Sequence, residues 1–303
     1  MKSYLFKFGS NRSNETKRIL LVLVLAGIIL GGCARQTVVL GGLASSDAVT
    51  VSEIYAQALE KAGYKVVRQY GQESAGLHRA LLSGEIDIYA EYSGAALTRI
   101  LGGEKTPDQY SAYDAASAKY RELGLVLLEP LPANNALGLA VLQERADALG
   151  IKTFTDLQEK AADLSLAYTG NFFDDPEGFT LLEAVYGTFP FKEITAVSGG
   201  DELHHLLHSK SVDVIPLGSN DGHLADPLHK ILRDNFHAFV PQTLVPVARR
   251  EYIEQNKKIR DILNPLSASL NDKAVINLNN QTEIQKIPYP QAAKTYLKTS
   301  GFF

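Results

Sequence analysis

One constant offset organises this chain. Leu77, His78, Leu81, Ser83 and Asp87 recur as Leu203, His204, Leu207, Ser209 and Asp213, 126 residues later. At the same offset the apolar run Val38, Val39, Leu40 falls on Leu164, Ser165, Leu166, so each copy opens with a short run that suits the start of a strand. Around the first copy, β-branched runs alternate with helical patterns. The spacing predicts a strand over 37–40, a helix over 48–62, a strand over 65–69, a helix over 75–83 and a strand over 86–90. Alternation of this kind predicts a parallel sheet covered by helices, with ligands bound outside the carboxyl ends of the strands. A chain that repeats such a unit has two sheets to bury, and the expectation is two similar α/β lobes with a cleft between them.

The length allows this. With 303 residues, 45% of them hydrophobic, there is apolar material for two cores, and two domains is the default organisation at this size. Proline marks two extended segments, Pro130–Leu131–Pro132 and Pro241 to Pro246, where two chain crossings would form a hinge. The expected division is therefore 37–131 plus 244–303 as lobe one and 132–243 as lobe two. Helices are expected over 256–270 and 289–301, packing back on lobe one.

Residues 1–32 read as a targeting segment. Lys2, Lys7, Arg12, Lys17 and Arg18 precede an apolar run over 19–30 that ends in Ile-Leu-Gly-Gly-Cys at 29–33. That is the order of a signal peptide, and the run is shorter than the ~20 residues a permanent membrane helix needs. The last five residues resemble a bacterial lipobox, which makes Cys33 the expected lipidation site and places the mature chain outside the cytoplasm, anchored to the bacterial membrane. Cys33 is also the one cysteine of the chain, so no intramolecular disulfide is available.

Several function classes are disfavoured. A net charge of -4 gives no electrostatic footprint for nucleic acid. No Gly-x-Ser-x-Gly elbow, P-loop or His-Glu-x-x-His helix occurs, and the cysteine is committed to lipid, so the nucleophilic and metal-hydrolase templates fail. No cofactor and no enzymatic activity are expected. His204 and His208 stand at i and i+4 on one helix face, a spacing compatible with zinc, and this supports the rival reading of a metal-binding lipoprotein of a transporter. A solvated helix face explains the same spacing.

Longer stretches carry a family resemblance. They are Ser-Gly-Glu-Ile-Asp-Ile-Tyr-Ala-Glu-Tyr-Ser-Gly at 83–94, Pro-Ala-Asn-Asn at 132–135, Val-Asp-Val-Ile at 212–215, Ser-Asn-Asp-Gly at 219–222, Arg-Asp-Asn at 233–235 and Phe-Val-Pro at 239–241. In this order, across nearly the whole mature chain, they resemble the extracytoplasmic binding proteins of osmoprotectant ABC transporters of the glycine betaine, carnitine and choline type. The resemblance implies a two-lobed periplasmic-binding-protein-like fold (type II), each lobe a sheet flanked by helices. It also implies a monomer that closes on its ligand and docks on a permease with its ATPase subunit. The family's cage of tyrosines holds a quaternary ammonium, because a desolvated cation over aromatic faces is stabilised by ~2 kcal/mol or more. Tyr92 falls on one cage position, while Tyr89, three residues earlier on the strand, is expected in the core.

The departures are specific. Leu43 stands where the family has a lysine, Ser46–Asp47–Ala48 where it has Thr-Glu-Gln, Ala136–Leu137 where it has Thr-Tyr, and Thr243 where it has a tyrosine. At least two cage tyrosines and the cation for a ligand carboxylate are thus replaced. The remaining candidates come from loops at the expected cleft. Ser45 and Ser46 open a helix, where backbone amides and hydroxyls meet a ligand or act as ordinary caps. Asn134 and Asn135 lie at the first crossing, suited to a ligand or to the hinge turn. Asn171 and Phe172 occupy the matching turn of lobe two. Asp221 suits a cationic head group or a plain Asp-Gly turn, and Thr243 follows the second crossing.

Overall fold

The computed structural model describes residues 36–106 and 108–303, so the signal peptide expected over 1–32 and the lipidation expected at Cys33 lie outside the described residues. The βαβαβ rhythm is present: β1 (Thr37–Leu43), α1 (Ser46–Lys61), β2 (Lys65–Gln72), α2 (Ser74–Ser83) and β3 (Ile88–Tyr92). The third strand starts two residues later than its pattern predicts and runs on to Tyr92. Ile86 packs in the turn before it, fully buried. Then come α3 (Gln109–Glu122) and β4 (Leu125–Leu127). Asp108 fixes the start of α3 by accepting hydrogen bonds from the Tyr110 and Ser111 amides.

The chain then crosses into β5 (Leu137–Leu142), α4 (Gln143–Leu149), α5 (Phe154–Lys160), β6 (Ser165–Thr169), α6 (Phe179–Tyr186), β7 (Glu193–Val197), α7 (Gly200–His208), β8 (Ile215–Gly218) and β9 (His229–Ile231). It returns as β10 (Leu244–Arg249) and ends in α8 (Arg250–Gln255), α9 (Lys257–Ser269), α10 (Asp272–Asn279) and α11 (Tyr289–Thr299).

The first sheet has the order β2-β1-β3-β10-β4. Its first three strands are parallel, while β10 runs antiparallel to both β3 and β4. The second lobe holds a three-stranded set, β8-β5-β9, and a parallel pair, β6-β7, joined by a parallel bridge between Leu166 and Val214. Read across that bridge, the order is β7-β6-β8-β5-β9, the same arrangement as in the first lobe. The registers coincide as well: Leu40 faces Ile88 in one lobe and Leu166 faces Val214 in the other, each residue 126 positions from its counterpart. Alternation alone predicted parallel sheets; the antiparallel strands β5 and β10 are supplied by the two crossings, which enter each sheet from the neighbouring lobe.

The recurring aspartate has a structural reason. Asp87 Oδ2 accepts from the Val39 amide at 2.8 Å, and Asp213 Oδ2 accepts from the Ser165 amide at 2.9 Å. Each carboxylate also takes an arginine: Arg249 Nη2 at 2.5 Å from Asp87, and Arg145 Nε at 2.9 Å from Asp213. Leu77 and Leu81 in one lobe, like Leu203 and Leu207 in the other, are buried on the sheet-facing side of α2 and α7. The repeated residues thus hold each second helix and third strand against the first strand.

Packing follows the same division. One apolar cluster joins Leu40, Ile88, Tyr89 and Tyr120 to Val247, Leu263 and Leu297 from the end of the chain. The other clusters draw on residues between 137 and 239. Tyr89 is fully buried in the first core, as its place on the strand predicts.

Candidate functional site

Where the two sheets face one another, the start of α1 and the end of β3 meet the first crossing and the loop after β8. Asp47 is the centre of this seam and is 4% exposed. The Tyr92 phenol donates to it, 2.7 Å from each carboxylate oxygen. From the other lobe, Asn220 Nδ2 donates to Asp47 Oδ2 at 2.9 Å and Asn135 Nδ2 does so at 3.2 Å. The Ala48 amide donates to Oδ1 at 2.8 Å. Because the Tyr92 proton is committed to Asp47, the phenol oxygen acts as an acceptor for Ser45 Oγ at 3.0 Å and Asn135 Nδ2 at 3.3 Å. Burial, and then the charge of Asp47, push the Tyr92 phenol well above its usual range, so it remains a neutral donor. Among the described residues no lysine, arginine or histidine pairs with Asp47.

The surrounding residues lock these groups in place. Asn279 Nδ2 donates to the Asn220 carbonyl at 2.8 Å, and Ser46 Oγ meets Thr282 Oγ1 at 3.2 Å. At the crossings, the Gln242 amide donates to Asn134 Oδ1 at 2.7 Å and the Asn135 amide donates to the Gln242 carbonyl at 2.8 Å. A void of about 10 Å³ remains between Asp47, Tyr92, Asn135, Asn220 and Gln242, so in this conformation the lobes touch directly across the seam.

Two larger hollows flank it. On the first lobe a hollow of about 420 Å³ opens at the carboxyl ends of the strands, lined by Leu43, Ser45, Ser74, Glu91, Tyr92 and Arg99. On the second, one of about 260 Å³ is lined by Asn134, Leu137, Phe154, Ser219 and Phe239. Glu91 is fully buried behind Tyr92, bonded by Ser74 Oγ and by the Tyr92 amide at 2.8 Å. Burial raises its carboxyl above the usual carboxylate range, outweighing those donors.

The seam gathers Ser45, Ser46, Tyr92 and Asn135 from the candidates the sequence supplied. Neither serine caps α1: Ser45, at the cap position, makes no side-chain cap bond, and both hydroxyls cross to other elements instead. Asn134 spends its side chain on the second crossing. Thr243 is 2% exposed and its Oγ1 donates to Gln109 Oε1 at 3.3 Å, at the start of α3, with no bond to Asp47 among the described residues. Phe172 packs among Phe173, Phe179 and Tyr168 in the second core, because two adjacent aromatics need cover and the interior of α6 provides it. The Asn171 carbonyl accepts from the Asp174 and Asp175 amides and builds that loop. Asp221 turns toward His204 and His223. Asp47, Glu91, Asn220 and Gln242 were not singled out from the sequence. Asp47 reads locally as a helix-start residue, and Asn220 reads as part of a turn; only their meeting across the lobes distinguishes them.

Two like-folded lobes joined by two crossings, with a polar seam at the strand ends between them, define the class of two-lobed solute-binding proteins. Residues 36–299 match the family described as the substrate binding domain of ABC-type glycine betaine transport systems, and the chain belongs to that family. It is 27% identical to a glycine-betaine-binding protein of Pseudomonas aeruginosa, over 92% of this chain and 93% of that one. It is 25% identical to an ergothioneine transport permease/ergothioneine binding protein of Helicobacter pylori, over 97% of this chain and 55% of that one. A crystal structure described as a glycine betaine/carnitine/choline ABC transporter shares the fold at a TM-score of 0.81 and 22% identity, covering 88% of this chain and 99% of the other. The chain is thus a substrate-binding component of an ABC transport system, and family membership favours this role over that of a metal carrier. His204 and His208 do not form a common site either: they fall into separate side-chain clusters.

Proposed function

We propose that the protein captures a small solute with a cationic head group between its lobes and delivers it to an ABC permease served by an ATPase subunit. The lobes in this reading are 37–131 plus 244–303 and 132–243, and the mature monomer is held outside the cytoplasm by lipid on Cys33 after removal of 1–32. The supporting observation is Asp47, a carboxylate buried at the seam and bonded only by neutral donors. A buried charge without a counter-charge is costly, and a cation entering beside it offsets that cost. Tyr92 adds an aromatic face of the kind that holds quaternary ammonium groups, and the relative named for glycine betaine points to the same ligand chemistry. With Leu43 in place of a cationic residue, a ligand carboxylate finds less here than a cation does.

Binding and signalling are then one event. A ligand shifts the lobes toward closure only to the extent that it binds the closed form better, and Asp47, shared by donors from both lobes, is where such a preference would be generated.

The test is a thermal-shift panel of choline, glycine betaine, carnitine, ergothioneine, neutral amino acids and sugars. Stabilisation by a compound with a quaternary ammonium is expected, about 2.7 kcal/mol at ~100 times its dissociation constant, with loss of most of it in Asp47→Asn. Stabilisation by sugars alone, or undiminished cation binding by Asp47→Asn, would overturn the reading.

A further inference from the structure

Four of the chain's seven histidines come together on the second lobe, although they lie at positions 204, 208, 223 and 229. α7 contributes His204 and His208, the turn after Asp221 contributes His223, and the first residue of β9 is His229. Two carboxylates complete the group. His204, Asp221 and His223 offer ligand atoms within 4.8 Å of one another, and so do His208, Asp226 and His229. In the first set, Asp221 Oδ2 is 3.4 Å from His204 Nε2 and Asp221 Oδ1 is 3.0 Å from His223 Nδ1. Ligands bonded at ~2.0–2.2 Å around a tetrahedral zinc ion stand roughly 3.3–3.5 Å apart; the His204–Asp221 separation of 3.4 Å matches this, whereas the 3.0 Å hydrogen bond between Asp221 and His223 would open on binding. The sets adjoin: the His229 ring lies 4.6 Å from His208 in its own set and 5.7 Å from His204 in the other, while the His204 and His223 rings stack at 3.4 Å, so as arranged only one of that pair directs an in-plane nitrogen at a given ion.

Hydrogen bonding of Asp221 with His223 and its contact with His204 account for part of the first set, but not for His229. His229 is 7% exposed, and neither of its ring nitrogens has a partner among the described residues; buried His204 Nδ1 is in the same position. Buried imidazole nitrogens normally find partners, and one unpartnered nitrogen of His229 lies within 4.8 Å of ligand atoms of His208 and Asp226. Access is provided by a hollow of about 460 Å³ that His204, Asp221 and His223 line together with Thr282, Glu283 and Tyr289 from the end of the chain.

We infer that this face of the second lobe binds a divalent transition metal such as Zn²⁺, with ligands drawn from His204, Asp221 and His223 and from the adjoining His208, Asp226 and His229. The ion is a resident of the protein and not its transported solute. Its position where the 222–225 turn meets the 272–284 segment lets it brace the lobe contact made by Asn280 Nδ2 on the Gly222 carbonyl at 3.0 Å.

The experiment uses the untagged protein, stripped with a chelator and titrated with ZnCl₂ by calorimetry and with CoCl₂ by visible absorption. One or two equivalents of Zn²⁺ and ligand-field bands of tetrahedral Co²⁺ are expected, with affinity lowered at least roughly 100-fold in the double variant His223→Ala, His229→Ala. Asp221→Asn provides a second, less disruptive variant, expected to weaken metal binding while the metal-free melting temperature identifies any loss of fold. No saturable uptake by the wild-type chain would overturn the inference, as would uptake unchanged in both variants, which would assign the metal to the remaining histidines. Solute binding by the Asp47 seam is read separately, so the two proposals fail independently.

Discussion

Asp47 and Glu91 are two buried carboxylates that meet different conditions. Asp47 receives the Tyr92 phenol, two amide side chains and a backbone amide, whereas Glu91 has fewer donors and its burial raises its pKa. Removing the phenol hydroxyl from Asp47 removes a bond to a charged acceptor, so Tyr92→Phe is expected to lower stability by about 1.5–3 kcal/mol, measured by denaturant unfolding. For Glu91 the sign is opposite to that of a paired carboxylate. Its folded pKa lies above the unfolded value, so the native state holds the proton more tightly and stability falls as pH rises through the carboxylate range. Glu91→Gln is therefore expected to flatten the pH dependence of the melting temperature between mild acid and neutrality, with the variant gaining on the wild type as pH rises. An unchanged slope would show that Glu91 does not set it. Glu91 lies one residue past the strand expected over 86–90, and nothing local distinguishes a buried carboxylate from an exposed one in Ile-Tyr-Ala-Glu-Tyr.

Each lobe repeats a strand, a helix and a strand tied by one aspartate, and the two copies differ in exposure. The Asp87–Arg249 pair has side chains 13% and 27% exposed, whereas Asp213 and Arg145 are 23% and 42% exposed. Better solvent screening weakens the second pair. Asp87→Asn is expected to cost about 1.5–3 kcal/mol and Asp213→Asn about 1 kcal/mol or less, a ranking that chemical denaturation resolves. The short helical segment after β3 adds a steric prediction. A Cβ on Gly94 would run into the Pro241 carbonyl and the Val240 side chain at the second crossing. Gly94→Ala is thus expected to destabilise by about 1–3 kcal/mol, and heat unfolding checks it. These elements were legible because periodicity and the 126-residue offset are local signals. The antiparallel partners β5 and β10 were not, since a short apolar run carries no mark of the direction in which a distant strand will receive it.

Across the whole molecule, the two crossings and the seam decide how the lobes stand. Asn135 and Asn220 reach Asp47 from the second lobe, and Asn279 supports Asn220. Replacing both amides, Asn135→Ala with Asn220→Ala, is expected to shift the ligand-free protein toward an open form, seen as a larger radius of gyration in small-angle scattering; an unchanged radius would show that other contacts hold the lobes together. The sequence by itself determined that there are two alternating α/β units, that their apolar faces need separate cores, and that Tyr92 and Asn135 belong to the strand ends and crossings, because hydrophobic period and repetition act over short distances. Only the tertiary structure decided that Asp47 faces Asn220, 173 residues away, that Phe172 and Thr243 turn inward, and that four scattered histidines converge. Each of these depends on how separate elements pack, and burial and charge pairing are properties of that packing that a residue's own neighbours along the chain do not encode.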